Sequence, residues 1–137
     1  MNNYYLVISS LLLLLPILLF LRNKNKNINK NILATLLFIN LILSILFWSN
    51  PIENSFINHL DALFARISFV IFTLYFLLIP DLDFYHKILF FIFLFISLLL
   101  AKYSKKHSNI KWLCNDHIKC HCTFHLVVSL GCCIAFV

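Results

Sequence analysis

Three histidines, His117, His121 and His125, recur at every fourth position near the end of the chain. Four residues is just over one helical turn, so on a helix the three imidazoles share one stripe. Two imidazoles spaced i and i+4 can hold a divalent metal through neutral ring nitrogens, most commonly zinc. A catalytic zinc needs about three protein ligands and an open position for water. His121 and His125 supply two, and the candidates for the third are His117, His59 and Asp61. A carboxylate such as Asp61 on a neighbouring helix could instead orient or deprotonate the metal-bound water, whose pKa falls towards about 7.

Each of these residues also has a plain structural use. Buried histidines can bond helix carbonyls or serines. Asp61 can complement the dipole at the start of its helix, and Arg66 can neutralise it or snorkel to the interface. His117 and His59 read as solvated interfacial residues. Cys120 and Cys122 flank His121 but point away from its stripe, so they stay outside the ligand set.

The elements that must position these groups are membrane spans. Apolar residues make up 62% of the 137, charged residues only 12%, and the mean hydropathy is +0.93. Soluble domains are closer to about 45–50% apolar and about 25% charged. Five apolar segments are predicted as helices, at about 4–21, 32–48, 60–79, 85–101 and 118–137, each long enough for a hydrocarbon core of roughly 30 Å. The expected fold class is therefore all-α, one integral membrane domain over 1–137 built as a multi-pass bundle of five spans. Pro16 interrupts the first span, as membrane helices tolerate. Pro80 ends the third, followed by a tight acidic turn with Asp81 and Asp83. The stretch from Tyr103 to His117 reads as the longest loop.

Charge and cysteine usage narrow the classes further. The net charge of +6 sits in short clusters beside apolar runs, where it meets anionic head groups; a nucleic-acid partner is excluded. Basic residues split five against five between the two membrane sides, so orientation stays open. All five cysteines fall in the last quarter of the chain, without the paired knuckles of a structural zinc site. The phenylalanine run Phe90, Phe91, Phe93 and Phe95 reads as packing or lipid-facing surface. One geometric consequence holds in either orientation. The third and fifth spans run parallel, so His59 and Asp61 start at the same membrane face as His117, His121 and His125, and the end of the second span, Ser44 to Trp48, reaches that face too.

At these residues a resemblance enters. His121-Cys-Thr-Phe-His125-Leu-Val-Val-Ser-Leu-Gly131 resembles the last-helix motif of the haemolysin III, progestin/adipoQ receptor and alkaline ceramidase superfamily, in which an HxxxH pair binds zinc. Leu60-Asp61-Ala62, continuing through Ala65, Ser68 and Tyr75, is similar to that superfamily's third-helix segment, where an aspartate opens the helix. The second helix there ends in SxxxH, whereas this chain reads Ser44-Ile-Leu-Phe-Trp48. It also has five spans where the superfamily has seven. The resemblance implies a zinc-dependent membrane hydrolase of lipid amide bonds, or a degenerate descendant. His121 and His125 would hold the metal with His59 as third ligand, Asp61 would handle the water proton, and Ser44 would hydrogen-bond in the site. The alternative is a non-catalytic membrane protein that packs against a second copy or another partner.

Overall fold

The computed structural model describes residues 3–79 and 82–137, and within them every regular element is helical. The turn expected at Pro80 and Asp81 lies outside the described residues. Five helices follow in order: α1 (Asn3–Arg22), α2 (Ile28–Ser49), α3 (Phe56–Leu78), α4 (Phe84–Ile110) and α5 (Asn115–Cys133). The starts of α2, α3 and α5 are capped by side chains that precede them. Asn27 accepts the Lys30 N–H at 2.8 Å, Ser55 accepts the Asn58 N–H at 3.2 Å, and the Cys114 thiol accepts the His117 N–H at 3.4 Å. Each satisfies an amide that the first helical turn leaves orphaned.

Helices α1 to α4 are each long and apolar enough to cross a membrane. The chain is an all-α, multi-pass integral membrane protein. Apolar side chains such as Leu77 (59% exposed), Phe95 (63%) and Leu98 (54%) face outward, which in a bilayer is ordinary lipid contact. Phe90, by contrast, is buried and stacks on Phe76 with ring centroids 3.9 Å apart.

Two expectations about the elements need correction, while Pro16 is tolerated within α1 as expected. The predicted fifth span is helical only over Asn115–Cys133 and is not among the four membrane-crossing helices. Its first half carries Asp116, Lys119 and the histidines, which lower its mean hydropathy, and it lies within the bundle. The long loop at 103–117 is mostly helix, because α4 continues to Ile110 and the true connection is 111–114. At 27 residues, α4 is about 40 Å long, so its lysine-bearing end reaches beyond the apolar layer. Pro16 does not break α1. Lacking an N–H and crowding the carbonyl of Leu12, it sits just after a 3₁₀ turn at Leu11–Leu13, where the helix tightens.

Helix α5 is the centre of the arrangement. It packs along α4 on one side and against α1 on the other. α2 lies against α1 and α3, while α3 and α4, neighbours in sequence, touch only sparingly. A line of small or polar residues joins α5 to α1: Cys122 donates to the Tyr5 carbonyl at 3.5 Å, His125 meets Ser9, and Ser129 donates to the Leu12 carbonyl. At the far end Asn23 donates to the Phe136 carbonyl at 2.8 Å, and Phe20 packs edge-on to Phe136.

Gly131, the only glycine in the chain, lets α5 approach α4: a Cβ there would stand 3.0 Å from Phe93 Cβ. Gly131→Val is accordingly expected to lower stability by about 1–3 kcal/mol through overpacking, read as a reduced thermal midpoint in detergent. An unchanged midpoint would show that the two helices can part without loss.

Candidate functional site

A cavity of about 430 Å³ opens among α2, α3, α4 and α5, within the size range of ligand sites. Ser44, His59, Asp61, His117, His121 and His125 all line it. Helix α2 supplies Ser44, α3 supplies His59 and Asp61, and α5 supplies the three imidazoles. Small residues on the facing helices, among them Ala62, Ala65 and Ser68 on α3 and Ser97, Ala101 and Ser104 on α4, leave the room.

The histidine ladder is continuous. Ring centroids lie 5.9 Å apart for His117 and His121, and 4.7 Å for His121 and His125. Hydrogen bonds separate their roles. Ser9 Oγ donates to the Leu6 carbonyl at 2.9 Å and also lies 2.8 Å from His125 Nδ1. A carbonyl can only accept, so the single serine proton is committed and Nδ1–H is the donor to Ser9. That tautomer leaves the Nε2 lone pair of His125 free. His121 Nδ1 is 3.1 Å from Ser104 Oγ, so it too is held through Nδ1. Metal-binding histidines are commonly oriented in this way through the nitrogen that does not ligate.

His117 differs, and the expectation that it is solvated is corrected. It is only 3% exposed, covered by the rings of Trp112 and Trp48 at centroid distances of 5.1 and 6.1 Å. Its Nδ1 accepts the Leu113 N–H at 3.3 Å. Leu113 adopts a φ of 56°, a left-handed conformation rare for a leucine. With Nδ1 accepting, neutral His117 carries its proton on Nε2 and has no lone pair left for a metal.

The remaining predicted residues are spread around the same cavity. Ser44 is buried and lies 2.9 Å from Ser10 Oγ. His59 is exposed, and its backbone N–H continues the first turn of α3 to the Ser55 carbonyl. Asp61 is half-buried, and of the two uses open to Arg66 the pairing with Asp61 is not formed: among the described residues the only ion pair is His86–Asp83 at 3.5 Å. Trp48, at the position where a third imidazole was sought, is 2% exposed and packs on His121 with centroids 4.7 Å apart.

Zinc can be tested against this donor set. His121 and His125 suit it, each anchored at Nδ1. The third ligand is missing, because Trp48 offers no lone pair and His117 is committed to Leu113. Among the described residues no group of three or more His, Cys, Asp or Glu is close enough to hold a metal ion. As the side chains stand, the site is two-thirds of a catalytic set.

Sequence reasoning missed the residues that hold the ladder. Ser9 and Ser104 are its supports; Ser10 holds Ser44 instead, while Asn40 donates through Nδ2 to the Leu36 carbonyl at 2.7 Å and to Ser68. Their common signal was available: single polar residues inside otherwise apolar spans, which seek partners on neighbouring helices. Among the described residues, two buried side-chain atoms have no hydrogen-bond partner, Asn40 Oδ1 and Trp48 Nε1. Both residues line the cavity.

The fold and site define a class: a multi-pass helical membrane protein with a cavity of mixed lining among its helices. No protein-family model, no curated protein and no solved structure matches the chain.

Proposed function

We propose that this protein is a membrane hydrolase acting on a lipid amide, on the plan of the ceramidase-type superfamily it resembles. One observation carries the reading: Ser44, Asp61, His121 and His125, drawn from three helices, line a single cavity. Its lining is mixed, with Leu37, Phe72 and Leu94 for an acyl chain and Ser44, Asn40 and Asp61 for a polar head. His121 and His125 are the residues that would hold zinc. When bound, the metal would supply a water of lowered pKa and polarise a carbonyl. Asp61 lines the same space without an ion pair, as a group that takes and returns a proton must. Ser10 gives its own proton to the Leu6 carbonyl at 2.8 Å, so Ser44 donates to Ser10 and keeps oxygen lone pairs to accept from an N–H or O–H of the substrate.

Metal content of the purified protein tests this reading. The expected result is zinc bound to wild type, lost in His121→Ala and in His125→Ala, with hydrolysis of a fluorescent lipid amide lost in parallel. Wild-type protein that holds no zinc and cleaves nothing would overturn it.

A second reading has its own support. Trp48, packed on His121 where the superfamily's third ligand belongs, and serine partners for His121 and His125 also suit a site that binds without cleaving. In that case the amphiphile or a partner helix occupies the cavity, and the histidines serve packing and recognition.

A further inference from the structure

Glu53, His59, Asp61, Arg66 and Lys105 all line the cavity, and none is in an ion pair among the described residues. Arg66 stands more than two turns into α3 and is exposed; Lys105, also exposed, faces the cavity from α4. These two helices touch only sparingly, so the cavity is bordered by a cation on each side of their gap. An arginine at that depth in a span is costly unless it reaches water or an anion. Guanidinium and ammonium groups are the usual binders of phosphate and carboxylate oxygens. Beyond them the lining turns apolar, with Leu13, Phe72, Phe90, Leu94 and Val128. The orphaned acceptor Asn40 Oδ1 and the orphaned donor Trp48 Nε1 belong to lining residues as well, and one hydroxyl can satisfy either.

We propose that the cavity takes an amphiphile with one acyl chain and an anionic head, the head held by Arg66 and Lys105 and the chain lodged among Phe72, Phe90 and Leu94. This deepens the reading of a lipid site by naming the ligand's charge, and it requires no metal. Glu53 and Asp61 oppose such a head, so the sign of the effect of Glu53 is fixed in advance: removing its charge should tighten binding.

The chain's two tryptophans, Trp48 and Trp112, both line the cavity, which gives a local readout. Protein in phosphatidylcholine nanodiscs would be titrated with dibromostearoyl lysophosphatidic acid, whose bromines quench nearby indoles. The uncharged control is the matching dibromostearoyl glycerol. Expected results are saturable quenching by the anionic probe, about tenfold weaker apparent affinity in Arg66→Gln/Lys105→Gln, retention in Arg66→Lys, and tighter binding in Glu53→Gln. Dibromostearate in a further arm separates the sources: comparable quenching identifies a carboxylate head, and its absence a phosphate. Equal quenching by the uncharged glyceride overturns the proposal, as does unchanged affinity in the double variant with native helical content. Binding is read here without turnover. Protein that quenches but holds no zinc keeps this inference and loses the catalytic one; protein that cleaves a neutral lipid amide yet ignores the anionic probe does the reverse.

Discussion

Trp48→Ala is expected to destabilise the bundle by about 3–5 kcal/mol, the range for truncating a buried large aromatic. The indole is 2% exposed and sits where three helices meet. Its ring lies 4.5 Å from that of Phe47, 4.7 Å from His121, and stacks on Trp112 at 6.2 Å with an 18° interplanar angle. Its carbonyl also accepts from the Asn3 side chain at 3.4 Å, tying the start of α1 to the end of α2. Helix association in lipid relies on packing more than on water exclusion, so a lost indole is not offset by solvent. The cavity alongside leaves little to collapse into the void. Chemical or thermal unfolding in mild detergent measures the effect. Trp48→Phe should recover much of the loss; a cost under about 1 kcal/mol for Trp48→Ala would mean the aromatic cluster is incidental to the fold.

Asp61→Asn should do the opposite: little to stability, much to activity. Asp61 is half-buried and in no ion pair, so exchanging its carboxylate for an amide of the same shape abandons no partner. Under the proposed function it removes the group that moves the proton, which typically lowers turnover by about 10²–10⁴-fold. The comparison is made at saturating lipid amide, with the unfolding midpoint recorded on the same preparation. A full rate in Asp61→Asn would take this carboxylate out of the chemistry and leave the histidines to account for any hydrolysis.

Helix class and number were legible because their cause is local. An apolar run of membrane length must close its own backbone hydrogen bonds, and the segments around 4–21, 32–48, 60–79 and 85–101 therefore appear as α1 to α4 with shifted ends. The ends moved for reasons that periodicity does not carry. Ser55 caps α3 a full turn before the apolar run begins, and α4 runs on through Lys102, Lys105 and Lys106 because nothing between them breaks a helix. The shared location of Asp61 and the histidines was legible too, since parallel spans share a face.

What each side chain does there was not. His117 and His125 have the same spacing and chemistry in the sequence. Only the fold puts Leu113 N–H on one ring and Ser9 Oγ on the other, so that one imidazole has spent its lone pair and the other keeps it. Arg66 and Asp61 are five positions apart, close enough in sequence to pair or to stay apart, and the fold leaves them unpaired around a cavity.

The sequence by itself determined the membrane setting, the helices and the face on which the ionisable residues gather. All three follow from hydropathy, hydrogen-bond closure and the parity of crossings. Tertiary structure alone decided which imidazole nitrogens are already bonded, that the Trp48 indole packs on His121, and that a cavity separates α3 from α4. Those outcomes depend on contacts between residues far apart in the chain, such as Ser9 with His125 and Trp48 with His121, and no local pattern encodes such distances.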